Sequence, residues 1–355
     1  MKLLIDIAHP AHIHYFRNLS RQLSLKGHQC LFTIREKGII KELADYYGIE
    51  YRIRSKERRN KLVYSIEALW NIYKVATKIK PDLFLDMGTV FASPIAFIMK
   101  KPYIAFDDTE ASIKARRFHM PFTNHILTPS CFYADLGKKQ IIFNSYMDLF
   151  YLHPKYFSPC EDILRKHDLL KNKYVLMRFV SWEAHHDVGQ AGISETKKKE
   201  MVKYFKTKNM KIIISSETSL PDELDQYKIR VEPFHFHHVI AGATIVITEG
   251  ATIASEAALL GTPAIYVNSI QNGSTISLAK KGLLISLKDD SSLVEHINKI
   301  IERNTSRCKK QYREKAKEYV DSKINPTEFT IWFLENYPES VKNMKENPDY
   351  DNRFL

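Results

Sequence analysis

Gly250, Ala251 and Thr252 follow an apolar run at 245–247, and Glu256 stands four residues beyond Thr252. A strand, a tight turn and a helix start are the expected local structure. The first turn of a helix carries N–H groups without intrahelical partners and the positive end of the helix dipole, which suits a phosphate. Residues four apart share a helix face. A phosphate at 250–252 would therefore have the Glu256 carboxylate about one turn away. That is a layout for holding a nucleotide by its diphosphate and its ribose hydroxyls. The plainer alternative is an ordinary strand–helix unit in which Gly250 serves only the turn.

Two further groups of residues have the chemistry for proton transfer. The opening LLIDIA runs into His9, His12 and His14. His9 and His12 are expected in a strand-to-helix turn, where imidazole acts as acid, base or phosphate donor. Helix capping is the competing role. Asp107, Asp108 and Glu110 crowd the turn after an apolar run at 103–106. Their mutual repulsion raises at least one pKa and readies that group for proton transfer. A helix cap would use the same residue types.

Stepping along the chain, short apolar runs alternate with amphipathic stretches, the signature of a mainly parallel sheet covered by helices. Strands are expected at 3–8, 30–34, 51–53, 83–86, 103–106, 126–128 and 141–143, then at 174–179, 211–215, 230–232, 245–248, 264–267 and 284–287. Ile13, Phe16, Leu19 and Leu23 form one helical stripe, which Gly27 ends. Later helices are expected at 195–208, 236–242, 251–260, 290–304, 306–322 and 326–336. The aromatic- and Pro-rich stretch 149–159 reads as a link. The fold class is α/β, with two doubly wound, Rossmann-like domains at 1–155 and 156–325. Residues 326–355 are expected to pack back on the first domain through Trp332, Phe333 and Tyr337. Open sheets bind ligands beyond the carboxyl ends of their strands, so the two domains are expected to face one another across a cleft.

The run from the 245–247 strand through the small-residue turn and Glu256 to Leu260-Gly261-Thr262-Pro263 resembles the glycosyltransferase-B superfamily, which includes the UDP-N-acetylglucosamine 2-epimerases. The opening Asp6-Ile7-Ala8-His9-Pro10-Ala11-His12 closely resembles an uncharacterised prokaryotic family within it. That likeness extends through Phe106-Asp107-Asp108-Thr109-Glu110 and Tyr151-Leu152-His153-Pro154. On the resemblance, Gly250, Ala251 and Thr252 contact the diphosphate and Glu256 the ribose. Arg178, Ser181 and His185 follow a strand end that approaches donor phosphates in similar proteins. Arg178 suits charge neutralisation, Ser181 hydrogen-bond donation and His185 the sugar. Phe234 and His235 lie where related folds hold the base, with Phe234 or Phe236 suited to stacking. Neither histidine cluster has a zinc spacing, so no metal or other cofactor is expected.

The resulting expectation is a glycosyltransferase using a nucleoside-diphosphate sugar, with UDP as the nucleotide and a glycan or lipid-linked acceptor. Asp107, Asp108, Glu110, His9 or His12 would supply the base. A sugar-nucleotide 2-epimerase is the rival, and a non-catalytic nucleotide-sugar-binding subunit the third reading. A net charge of +12 with dispersed Lys and Arg clusters suits anionic substrates or an anionic membrane face, without a nucleic-acid-binding motif. The opening is not signal-like, no apolar run is long enough to span a bilayer, and the four cysteines form no framework. A cytoplasmic location, peripheral to the inner membrane face, is expected. The segment 61–80 suits a membrane interface, or a helix whose apolar stripe packs on the first sheet.

Overall fold

Strand β1 (Lys2–Ile7) is completely buried from Leu3 onward, and it lies inside a seven-stranded parallel sheet, third from one edge. The other strands are β2 (Gln29–Glu36), β3 (Tyr51–Lys56), β4 (Leu83–Asp86), β5 (Tyr103–Phe106), β6 (His125–Pro129) and β7 (Gln140–Phe143). Their order is β3-β2-β1-β4-β5-β6-β7, so the chain reverses direction of growth beside β1. All adjacent pairs are parallel. The computed structural model describes residues 1–56, 60–180, 192–303 and 306–355.

A second parallel sheet is built from β8 (Tyr174–Phe179), β9 (Lys211–Ser216), β10 (Ile245–Thr248), β11 (Ala264–Val267) and β12 (Ile285–Leu287), in the order β12-β11-β10-β8-β9. Val175, Met177, Ile245, Ile247 and Ile265 are fully buried beneath helices on one face. The chain divides into two compact units, one of residues 1–156 and 323–355, the other of residues 157–322. Each is an α/β unit with helices packed on a parallel sheet, as the hydrophobic pattern implies. The first unit takes in the C-terminal helix Pro326–Glu335, where Phe329 and Phe333 are fully buried. Glu335 accepts from Lys26 and pairs with His28 across the same unit.

Three expectations are corrected. Residues 230–232 form no strand. The ladder beside β9 ends with an isolated bridge at Lys228, and Glu232 instead precedes a 3-10 turn, Pro233–His235. Proline has no N–H to give a ladder, which stops the extended run. The stretch from 149 is not wholly a link: Leu149–Leu152 is a short helix whose four residues are all buried in the first unit. Finally, helix Lys61–Ile79 buries Ala68, Ile72 and Ala76, while Leu62, Ile66 and Trp70 of the expected packing stripe are more than half exposed. Leu69 and Tyr73 alone of that stripe pack against the sheet-facing cluster.

Candidate functional site

In the first unit the strand ends carry a ring of polar groups. His9 is the N-cap of helix Pro10–Leu25, and its Nδ1 accepts the Ala11 N–H at 3.3 Å. His12 Nδ1 accepts from the Ala8 N–H at 3.4 Å. A neutral imidazole that accepts at Nδ1 carries its proton on Nε2. Burial first, then the nearby His9 and Arg54, hold the His12 pKa well below its ordinary value. His12 is therefore neutral, with Nδ1 engaged by the backbone and the proton on Nε2.

The three acids after β5 have different partners. Asp107 is buried, is bound by Arg116 Nε at 2.6 Å and accepts from the Thr109 N–H at 3.0 Å. Glu110 is buried and accepts from the Tyr133 N–H at 3.2 Å. Asp108 accepts from the Thr109 hydroxyl at 2.9 Å and from the Tyr15 hydroxyl at 3.4 Å. Burial, with smaller contributions from the charges of Asp107 and Glu110, pushes Asp108 up to about 6. Of the three, Asp108 is poised to exchange a proton near neutrality.

Beneath them lies a buried network that residue spacing did not reveal. Asp6 on β1 stands in register with Asp86 on β4. Asp6 Oδ1 accepts from Thr33 at 2.8 Å and lies 3.0 Å from Arg54 Nε, whose side chain is almost fully buried. Thr89 Oγ1 lies 2.7 Å from Asp6 Oδ2 and 2.6 Å from Asp86 Oδ2. One hydroxyl proton cannot serve two carboxylates, so one carboxyl must itself donate to Thr89. Burial and the Asp6 charge push Asp86 up to about 7, marking it as that proton carrier. The one available signal was a carboxylate inside the apolar run LLIDI, which a strand core accepts only when the charge is paired.

In the second unit, Gly250 is the N-cap of helix Ala251–Leu259, and no side chain caps that helix. The Gly250 N–H is satisfied by Thr248 Oγ1 at 2.9 Å, and Ala254 is the first residue to bond back to the Gly250 carbonyl. The N–H groups of Ala251, Thr252 and Ile253 form the helix's open first turn. Thr252 is exposed, whereas Glu256 is buried one turn deeper, where its Oε1 lies 3.1 Å from His237 Nε2. The Gly250 donor is thus used within the turn. Glu249, unassigned from sequence, accepts from the N–H groups of Val180 (3.0 Å) and Ile193 (2.8 Å), and Lys198 Nζ is 3.6 Å away.

Arg178 is engaged by Ser215 Oγ at 2.8 Å and by Glu217 at 2.5 Å, so an anion would have to compete with Glu217 for its guanidinium. Ser181 and His185 lie outside the described residues. Phe234 is half-buried with its ring centroid 4.7 Å from that of His235. His235 Nδ1 lies 3.3 Å from both Glu232 Oε2 and His167 Nε2. His167, far away in sequence, gave no signal for this grouping.

The fold is shared with sugar-nucleotide enzymes. The UDP-GlcNAc 2-epimerase from Neisseria meningitidis bound to UDP-GlcNAc superposes with a TM-score of 0.64 at 13% identity, covering 89% of this chain and 94% of that one. The spinosyn forosaminyltransferase superposes with a TM-score of 0.57 at 12% identity, covering 90% and 95%. At such identities the likeness is one of fold, the glycosyltransferase-B type expected from the sequence. An uncharacterized protein of Methanocaldococcus jannaschii is 23% identical over 128 residues, 35% of this chain; the match spans only 38% of that relative's length. Residues 1–323 match the family described as "Protein of unknown function (DUF354)", and the chain belongs to that family.

Proposed function

We propose that the chain is a glycosyltransferase that takes a nucleoside-diphosphate sugar, specifically a UDP-sugar, and serves cell-surface polysaccharide or glycoconjugate synthesis. The observation that carries the reading is the open, side-chain-free start of helix Ala251–Leu259, with Glu256 one turn further along. Donor diphosphate is assigned to the first-turn N–H groups, the ribose to Glu256 and the base to the turn bearing Phe234. Asp108 takes the acceptor hydroxyl proton as the acceptor oxygen bonds to the anomeric carbon. The bond from that carbon to the diphosphate oxygen breaks, and the diphosphate leaves with the electron pair. Its charge is met by the helix end. His12 donates from Nε2 to a sugar or acceptor oxygen.

A single carboxylate that titrates near neutrality, deprotonated when the acceptor binds, suits removal of one hydroxyl proton. Asp107 is committed to Arg116, which leaves Asp108 as the mobile partner in that turn. The rival reading is a UDP-N-acetylglucosamine 2-epimerase-like enzyme, favoured by the higher TM-score of the epimerase fold (0.64 against 0.57). Incubation with UDP-N-acetylglucosamine alone separates the two. The transferase leaves the sugar's configuration at C2 unchanged, and appearance of a mannosamine product would reject it. Purified activity untouched by Asp108→Asn would remove the assigned base. UDP binding with no turnover of any donor–acceptor pair would favour a non-catalytic subunit.

The proposed setting is the cytoplasmic face of a membrane, with a lipid-linked acceptor. Leu62, Val63, Ile66 and Trp70 are exposed on one helix beside the exposed Lys61 and Lys74, an amphipathic, basic surface suited to an anionic interface. Among the described residues, no helix is long and apolar enough to cross a membrane. Protein that stays in the supernatant with anionic vesicles at low salt would count against this setting.

A further inference from the structure

We propose that His167, Glu232 and His235 form a binding site for a tetrahedral transition-metal cation, with zinc as the fitting ion. His167 follows helix Glu161–Lys166, Glu232 precedes the 3-10 turn Pro233–His235, and His235 closes that turn. His167 Nε2 lies 3.3 Å from Glu232 Oε2, His235 Nδ1 lies 3.3 Å from the same oxygen, and the two ring nitrogens are 3.3 Å apart. The three ligand atoms therefore occupy the corners of an equilateral triangle.

Hydrogen bonding accounts poorly for this triangle. An imidazole N–H points in one direction, and each contact is longer than the about 2.7–3.2 Å of an N–H···O bond. If both rings donate to the carboxylate, two N–H groups confront one another; if one ring donates to the other, a carboxylate contact is left without a proton. A cation on the triangle's axis uses all three lone pairs at once. Ligand atoms about 2.0–2.1 Å from a tetrahedral zinc lie about 3.3–3.4 Å from each other, which is the spacing observed.

The ligand set is two imidazoles and one carboxylate, borderline donors that favour zinc over magnesium. The histidine side chains are 10% and 15% exposed and Glu232 is 50% exposed, which leaves the fourth corner to water. The ion would join two segments 68 residues apart in sequence. It would also fix the turn that carries Phe234, without entering the sugar-transfer step. The site stands independently of the nucleotide-sugar reading.

The test uses tag-free, full-length protein stripped with a chelator and desalted, without nucleotide. Cobalt(II) titration is expected to give one equivalent of binding with the intense visible bands of tetrahedral cobalt, abolished by one equivalent of zinc. Zinc should raise the melting temperature by mass action, and magnesium should do neither. His167→Ala, His235→Ala and Glu232→Gln should each weaken zinc binding by more than about 100-fold, since even outer partners of a ligand commonly matter 10- to 100-fold. Melting in chelator verifies that each variant folds; Glu232→Gln, at a half-exposed side chain of unchanged size, keeps the test open if a histidine variant does not. No zinc binding by the wild type, a weak octahedral cobalt spectrum, or unchanged affinity in the folded variants would overturn the site.

Discussion

Nε2 of His237 lies 3.1 Å from Oε1 of Glu256, and both side chains are only 5% exposed. The first helix turn beyond Gly250 is open, but the carboxylate assigned to the ribose is held by a neighbour until a ligand arrives. Ribose hydroxyls must join or displace the imidazole. Glu256→Gln keeps size and polarity while removing charge, so UDP binding is expected to weaken by about 1–3 kcal/mol through lost charge-assisted hydrogen bonds. Isothermal titration with UDP reads this directly. Unchanged affinity would remove Glu256 from the donor site.

Asp108 titrates at about 6 because burial disfavours its charge. A base acts in its deprotonated form, so kcat/KM is expected to fall as pH drops through about 6. Tyr15 donates to this carboxylate and lowers its pKa. Tyr15→Phe should therefore move the acid limb to higher pH, and Asp108→Asn should cost about 10²–10⁴ in rate. An acid limb that does not respond to Tyr15→Phe would assign the base elsewhere.

Both Glu256 and Asp108 were visible as carboxylates in turns or helices that follow apolar runs. Strands 83–86, 103–106, 174–179, 245–248 and 264–267 coincide with continuous apolar runs bounded by turn residues, because a doubly covered parallel strand needs apolar side chains on both faces. Arg230-Val231-Glu232 has one apolar residue between two charged ones, and pairing beside β9 ends at the Lys228 bridge before Pro233 opens a 3-10 turn. The turns that follow the strands were legible for the same reason as the strands. Their partners were not. Glu256 with His237, Asp6 with Thr89 and His167 with His235 are joined only by tertiary packing, which no local period encodes. Likewise, the Leu62–Trp70 stripe has helical spacing whether a sheet, a membrane or water faces it.

The buried Asp86 makes stability depend on pH. Its pKa rises from an ordinary 3.8 to about 7 on folding, by burial and the charge of Asp6. A folded pKa above the unfolded one gives a contribution that is complete below the unfolded value and is lost as pH rises through the folded value. The loss approaches about 4 kcal/mol above pH 7, at about 1.36 kcal/mol per unit. Wild-type melting temperature is expected to fall from pH 5 to pH 8. Asp86→Asn cannot ionise and should flatten that decline while keeping a partner for Thr89 and for Tyr103, whose hydroxyl lies 2.5 Å from Asp86 Oδ1. Parallel declines in the two proteins would show that another group governs the dependence.

Gly250 has a φ of −96°, which any residue can adopt. A Cβ there would meet only Val180 Cγ1 at 3.4 Å and Thr248 Oγ1 at 3.6 Å, ordinary packing distances. Neither backbone strain nor crowding therefore requires glycine for the fold. What remains is close approach of a ligand to the backbone at the helix start, a use for which glycine is suited. Gly250→Ala is expected to leave stability within about 1 kcal/mol of wild type, or slightly above it through reduced freedom of the unfolded chain. UDP affinity should nevertheless fall by at least about tenfold, equivalent to about 1.4 kcal/mol. Thermal melting and calorimetric titration on the same variant separate the two effects. Full UDP affinity with intact stability would move the diphosphate away from the 250–252 turn.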